Sequence, residues 1–356
     1  MQRLTIRDVA ERAGVSLGTV SNVLNRPELV ATETRRRVEE AIAAVGFVRN
    51  SAARQLRGAR SPTIGLVVLD VDNPFFTAVA RGVEDAASEA DHLLILCNSA
   101  SSRTREDRHL RMLEEQRVAG ILMTPVGKNP SKRVREIREN GTPVVLLDRA
   151  AKGGQCSVAV DDVYGGRLAA EHLAERGHRR VALVNGPRSI LQCAERRIGF
   201  LRGLSERGLS LAPEDDVEMA EMTIGAGEEA AERLLGRRRP PTAVFCTNDL
   251  LAIGVEHATL GRGRDVPDDL AIIGYDDVDF AAMSFVPLTS VRQPTYELGY
   301  RAAKLLLDEA MGRAHRHEQV VFQPELVERA STAAPTNGSA ALHRTAARPS
   351  RVKSSH

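Results

Sequence analysis

The chain has 356 residues, more than one domain usually holds, so its length points to two or three domains. An apolar fraction of 42% is ordinary and allows sizeable cores, which argues against a chain without a packed interior. Net charge is only +2, yet residues 1–60 carry eleven arginines against six acids, and the last 26 residues carry four basic residues and no acid. A basic end on an acidic body points to nucleic acid at that end.

Thr5 to Asn25 reads as two short helices joined by a tight turn. Thr5 with Asp8 three residues on is a capping-box start. Ile6, Val9, Ala10 and Ala13 then make one apolar stripe, and Gly14 supplies the φ > 0 residue that ends such a helix. Ser16 caps a second helix, with Val20, Val23 and Leu24 facing inward. Its other face carries Thr19, Ser21, Asn22 and Asn25, small hydrogen-bonding side chains suited to the major groove of DNA. The same stretch matches G-x-S-x-G at Gly14–Gly18, the nucleophile elbow of hydrolases. That elbow needs a buried strand before it, and residues 8–13 are helical and amphipathic instead.

Thr32 is expected to cap a third helix with Val38, Ala41, Ile42 and Val45 on one face. Arg35, Arg36 and Arg37 open it, either as a solvated basic face or with one of them on DNA phosphate. Asn50 is a plausible cap for one or two further turns, too short to hold alone in water. Residues 58–62 read as a polar linker.

From Thr63 the pattern changes to short apolar runs separated by helical stretches. The first series is 64–69, 93–97, 120–123 and 144–147. The second is 157–160, 181–184, 242–246 and 270–273. This alternation implies βαβ units and parallel sheets covered on both faces, most economically as two lobes with a ligand cleft at the carboxyl ends of the strands. Residues 331–356 lose all apolar periodicity and read as a disordered basic tail.

Cys97, Cys156, Cys193 and Cys246 are far apart, with no C-x-x-C spacing, so neither a zinc site nor a disulfide framework is suggested. No Walker loop or assembled nucleophile–base pair is visible, and His172 and His178 are expected to pack or cap a helix. No cofactor, metal or enzymatic activity is expected. With no apolar leader and no stretch long enough to span a bilayer, the expected location is the cytoplasm.

The motif T-I-R-D-V-A-E-R-A-G-V-S-x-x-T-V-S-x-V-L-N at Thr5–Asn25 resembles the LacI/GalR family of bacterial repressors. So do Asp72-Asn73-Pro74-Phe75-Phe76, Glu171-His172-Leu173 with Gly177-His178-Arg179, and Ile273-Gly274-Tyr275-Asp276-Asp277, and the likeness runs over roughly residues 4–330. The resemblance implies an α/β fold: a small all-α helix-turn-helix domain (1–49), a hinge helix and linker (50–62), and a two-lobed, periplasmic-binding-protein-like core with parallel sheets (63–330). The lobes would comprise about 63–160 plus 293–322 and about 161–292 plus 323–330. It also implies a homodimer or a dimer of dimers on a pseudo-palindromic operator; without a C-terminal heptad repeat the dimer is favoured. Leu17, Gly18 and Asn22 would read bases, while Ser16, Thr19, Ser21 and Asn25 would contact phosphate. Asn50 to Leu56 resembles the family's hinge helix, in which Ala53 and Leu56 enter the minor groove and Leu56 wedges a base step open. Here Arg49 stands where the family usually has proline.

Aromatic residues are only 3% of the chain, yet Phe75 and Phe76 are adjacent at the end of the first predicted strand. A sugar offers an apolar face to such rings, and a rim of hydroxyls to acids, arginines and amides. Asp148, Arg149, Asn248 and Asp276 lie at predicted strand ends, with Asn73, Arg196 and Gln293 in loops and connections nearby. Position by position this set is similar to the pocket of ribose-binding proteins, with Met222 where an aromatic would often close it. The expected effector is therefore a small monosaccharide, a pentose such as ribose, with a hexose, a sugar alcohol or a purine as alternatives. A sugar receptor without DNA function is the other reading, and the intact helix-turn-helix argues against it.

Overall fold

The computed structural model describes residues 4–47, 61–127, 129–150, 154–312 and 315–332. Asn50, Ala53 and Leu56, with Arg49 and residues 333–356, lie outside them. The chain divides into two compact units, Met1–Ser61 and Pro62–His356.

The first unit holds helices α1 (Ile6–Ala13), α2 (Leu17–Asn25) and α3 (Thr32–Val45). The Asp8 carboxylate accepts from the Thr5 backbone N–H at 2.6 Å, completing the capping box. Gly14, at φ 62°, ends α1. The Ser16 hydroxyl accepts from the Thr19 N–H at 3.0 Å and starts α2, so this serine is a cap and not a nucleophile. Val9, Ala10, Ala13, Val20, Val23, Val38 and Ala41 form the shared core. The third helix begins one residue earlier than its sequence suggests: the Ala31 carbonyl accepts its first bond, from Arg35, so Ala31 and not Thr32 is the cap.

The second unit begins with β1 (Ser61–Val68), α4 (Pro74–Glu89), β2 (Leu93–Asn98), α5 (Arg103–Glu115), β3 (Val118–Met123), α6 (Lys132–Glu139), β4 (Val144–Leu147) and β5 (Ser157–Val160). It continues with α7 (Asp162–Glu175), β6 (Val181–Asn185), α8 (Leu191–Glu206), β7 (Asp216–Glu218), α9 (Ile224–Leu235), β8 (Ala243–Cys246), α10 (Asp249–Gly261), β9 (Ala271–Asp276), α11 (Asp279–Met283) and β10 (Thr289–Arg292). Last come α12 (Thr295–Ala310), β11 (Gln319–Phe322) and β12 (Glu325–Val327). Two six-stranded sheets result, in the orders β11-β5-β4-β3-β1-β2 and β12-β10-β9-β8-β6-β7. Strand β12 pairs antiparallel with β10. Along β1, Ile64, Leu66 and Val68 enter one apolar cluster while Val67 enters another, which is why these strands read as unbroken apolar runs.

Three points depart from the sequence reading. Strand β5, which the apolar pattern grouped with the second series although the family resemblance put it in the first lobe, belongs to the first sheet: it pairs directly with β4, with no helix between them. Ser331 and Thr332 are not the start of a tail but a buried anchor, because the Ser331 hydroxyl bridges the Thr289 N–H and the Ile272 carbonyl. Strands β7, β10, β11 and β12 were not anticipated, being three or four residues long and partly polar.

Among the described residues the chain passes between the lobes three times, from β5 into α7, from β10 into α12 and from β11 into β12. Each lobe is built on helices that touch through glycine. A Cβ on Gly166 of α7 would lie 2.0 Å from the Arg196 carbonyl oxygen of α8, and one on Gly199 1.9 Å from that of Val163. Gly82 and Gly299 pair α4 with α12 in the same way, as Gly227 and Gly254 pair α9 with α10. Among the described residues no helix is long and apolar enough to cross a membrane.

Candidate functional site

In the first unit, Ser16, Leu17, Gly18, Asn22 and Asn25 are exposed, while Thr19 and Ser21 are half-buried, so all seven candidate DNA-contacting residues reach the surface. Leu17 is 44% exposed, an apolar side chain left outside the domain core. Ser16 and Thr19 share a hydroxyl–hydroxyl bond of 2.9 Å, and the Asn25 amide turns back to donate to the Ser21 carbonyl at 2.8 Å. Thus Leu17, Gly18 and Asn22 present the open part of this face. The three arginines of α3 are engaged within the domain. Arg35 pairs with Glu39 at 2.7 Å, and Arg36 with both Glu33 and Glu40 at 2.6 Å. Arg37 donates to the Ala13 carbonyl at 2.6 Å and so closes the end of α1.

In the second unit the candidate ligand residues converge at the carboxyl ends of the strands, between the two lobes. Leu69, Asn73, Phe75, Phe76, Asp148, Ile190, Gln192, Cys193, Arg196, Met222, Asn248 and Asp276 line one cavity there. Asn73 caps α4, and Phe75 and Phe76 stand in that helix's first turn, edge to face with ring centroids 5.0 Å apart. Both rings are buried. Asp148 directly follows β4 and Asp276 ends β9; both hold positive φ, at 54° and 108°. Strained non-glycine backbone of this kind is a feature of functional sites. Asn248 caps α10 and donates to the Met222 carbonyl at 3.2 Å.

Arg196 is the centre of the polar set. It lies within α8, not in a loop as its sequence context suggested. Its Nε donates to Asp162 at 2.8 Å, its Nη1 to the Thr247 carbonyl at 2.7 Å, and the same nitrogen is 3.4 Å from Asp276. The guanidinium also lies 3.8 Å from the Tyr275 ring centroid. Burial works against this charge, but the Asp162 and Asp276 carboxylates outweigh it and hold the Arg196 pKa well above its usual value. Burial pushes Asp276 up to about 6, with Arg196 and the Gln293 amide pulling the other way. Asp148 is likewise raised, by burial and then by Asp162. Acids crowded around one arginine leave the site rich in acceptors.

Two candidates sit differently from the rest. Gln293 stands behind Asp276, donating to it at 2.7 Å, and does not line the cavity. Arg149 is also buried but off the cavity wall, with Nη1 directed to the Gly127 carbonyl at 3.3 Å. Sequence reasoning missed Gln192, whose amide donates to the Asp148 carbonyl at 2.6 Å and to its carboxylate at 2.7 Å. Its spacing of four from Arg196 on one helix was the available signal. Asn73 likewise bonds Asp276. These two bridges join the lobes over a cavity of about 30 Å³, room for one or two waters. That volume is too small for a molecule the size of a sugar ring or a purine base.

His172 and His178 are structural, as expected: both are buried and bonded to threonines, Thr332 at 2.8 Å and Thr242 at 3.0 Å.

Two family models match the chain: "Bacterial regulatory proteins, lacI family" over residues 5–50 and "Periplasmic binding protein-like domain" over residues 170–332. The HTH-type transcriptional repressor PurR of Aliivibrio salmonicida is 33% identical over 92% of this chain and 98% of its own length. The lac repressor dimer bound to operator and an anti-inducer superposes with a TM-score of 0.83, at 26% identity over 94% of this chain and 100% of that one. A LacI family regulator from Enterococcus faecium with bound ribose superposes with a TM-score of 0.69, at 30% identity over 76% of this chain and 99% of that one.

Proposed function

This chain belongs to the LacI family of bacterial regulatory proteins, and from that membership we propose a repressor whose grip on its operator is set by a pentose such as ribose, held between the two lobes. That it is a DNA-binding transcriptional repressor with an effector domain, and not an enzyme, follows from the family and its relatives. The observation that carries the pentose is the chemistry of the cleft. Asp148, Asp276, Asn73, Asn248 and Arg196 can bond a rim of hydroxyls, and the Phe75 and Phe76 rings offer an apolar wall. The E. faecium relative with bound ribose supports the same class. A purine is the second reading, favoured by the similarity to repressors named PurR. Against it, the other lobe offers Met222 where a flat base would gain from a second ring.

In this reading sugar hydroxyls replace the Gln192–Asp148 and Asn73–Asp276 bridges, the angle between the lobes changes, and operator affinity follows. Leu17, Gly18 and Asn22 read bases while Ser16, Thr19, Ser21 and Asn25 hold phosphates. The roles of Asn50, Ala53 and Leu56 rest on the family resemblance alone. Gln293 would orient Asp276, to which it donates, and Arg149 would act on the site through its charge beside Asp148. A homodimer is supported by the exposed apolar side chains of edge strand β2 (Leu93, Ile95, Leu96) and of the α11 region (Phe280, Met283, Phe285). The cytoplasm, where operator DNA resides, is the corresponding location.

The test is fluorescence anisotropy of the protein on a duplex from its own upstream region, at one fixed salt concentration, with and without millimolar D-ribose. A shift in operator affinity with ribose supports the pentose. No shift with ribose, but a shift with a purine base, overturns it.

A further inference from the structure

At the edge of the first sheet where its strands begin, four side chains from three separate segments meet. Cys156 immediately precedes β5, Glu309 lies in the last turn of α12, and His315 and His317 lead into β11. The Cys156 Sγ is 2.9 Å from the His315 Nε2 and 3.6 Å from the His317 Nδ1. A Glu309 carboxylate oxygen is 3.8 Å from the same His315 nitrogen and 4.0 Å from that of His317. All four ligand atoms lie within 4.8 Å of one another. In a tetrahedral zinc site, bonds of about 2.3 Å to sulfur and about 2.0 Å to nitrogen or oxygen put ligand atoms roughly 3.3–3.6 Å apart. The four distances straddle that spacing.

We propose that Cys156, Glu309, His315 and His317 bind one zinc-class divalent transition-metal ion. The donor set is a thiolate, two imidazoles and a carboxylate, which suits zinc and its late first-row neighbours and not the all-oxygen preference of magnesium or calcium. The imidazole planes stand 83° apart, and the Nε2 of His315 and the Nδ1 of His317 both lie within 4.8 Å of the Cys156 sulfur and a Glu309 oxygen. The Glu318 backbone N–H reaches the Cys156 sulfur at 3.4 Å, the outer bond that commonly supports a metal thiolate. Two of the three segments are held side by side, because β5 and β11 are paired with Ser157 opposite Gln319. Cys156 is buried and His317 exposed, which leaves the ion a route from solvent. On binding, the thiol proton passes to solvent and no redox change occurs. The spacing rules applied to the sequence could not find this group, because Cys156 lies 159 residues before His315. It sits at the opposite ends of the strands from the effector cleft, so its occupancy can be read separately.

The test uses the full-length protein, stripped with chelator and titrated with cobalt(II). Expected are one equivalent bound, the visible bands of tetrahedral cobalt with a thiolate-to-cobalt charge-transfer band in the near ultraviolet, and loss of both on adding zinc. Cys156→Ser should remove the charge-transfer band, and the exposed His317→Ala should weaken zinc binding more than about tenfold. Both should keep operator binding and lose the zinc-dependent rise in melting temperature. Cobalt bound without the charge-transfer band overturns the proposal. So does equal zinc affinity in protein and variants, which would mark a hydrogen-bonded cluster with adventitious surface binding only.

Discussion

Replacing Asp276 by Asn should separate effector recognition from folding, and the two effects should have opposite sign. The carboxylate is buried, 2.7 Å from the Gln293 amide and 3.4 Å from Arg196. Hydrogen bonds to a charged group contribute about 1.5–3 kcal/mol, so losing one from a bound sugar weakens binding by about 10- to 150-fold. Stability should move the other way. Burial raises the carboxyl from 3.8 to about 6, so the folded chain holds this proton more tightly than the unfolded chain does. The stability so gained is fully present below pH 3.8 and is lost as pH rises through about 6. At neutral pH the ionised group thus costs up to about 3 kcal/mol. Asn carries no such cost, and Arg196 keeps Asp162 at 2.8 Å as its partner. Calorimetric titration with D-ribose and melting curves from pH 4 to 8 check both halves. Expected are a fall in affinity of at least tenfold, a melting temperature at pH 7.5 equal to or above that of the parent, and a flatter profile between pH 4 and 6. Parental affinity, or a melting temperature several degrees lower at pH 7.5, would refute the assignment of Asp276 as a strained acceptor held for the ligand.

Arg37→Ala should destabilise the DNA-binding unit by about 1–2 kcal/mol by freeing the Ala13 carbonyl, yet leave the salt dependence of operator binding unchanged. A phosphate contact would instead lower the slope of log affinity against log salt by about one. Gly18→Ala should raise stability by up to about 1 kcal/mol, since its Cβ meets nothing nearer than the Ser16 hydroxyl at 3.6 Å. The same variant should alter operator preference, read by competition between duplexes. Gly166→Ala should lower the melting temperature sharply and abolish the effector response, because the new methyl would strike the backbone of Arg196 itself. Parental stability in that variant would mean the two helices can part without cost.

What the sequence made legible was local or doubly buried. The Thr5–Asp8 box, the Gly14 stop and the Ser16 cap each depend on residues within four positions, so the first two helices could be read directly. Strands β1, β3, β4 and β8 were legible because both their faces are covered and their apolar runs are unbroken. Strand β12 was not, because Glu-Leu-Val at a sheet edge carries too little pattern. The purpose of Arg37 was hidden by distance, since its carbonyl partner lies 24 residues away. In the cleft, residues at strand ends could be nominated from strand prediction and Arg196 from the family resemblance, whereas Gln192 required knowing which face of α8 turns inward. Arg149 failed to reach the cavity wall despite following Asp148, because consecutive residues leaving a strand point in different directions.

The reciprocal glycine crossings have a consequence for mapping function by mutation. At six positions, Gly82, Gly166, Gly199, Gly227, Gly254 and Gly299, even one added carbon would overlap a backbone oxygen of the neighbouring helix. In a saturation library scored by repression, these positions should be as intolerant as Asp276 or Asn22, although their own missing side chains contact neither ligand nor operator. A map of intolerance would therefore trace helix seams as brightly as the recognition surfaces. Only a second screen scoring protein abundance would tell the two apart, since the seams should fail in both screens and the proposed recognition residues in one.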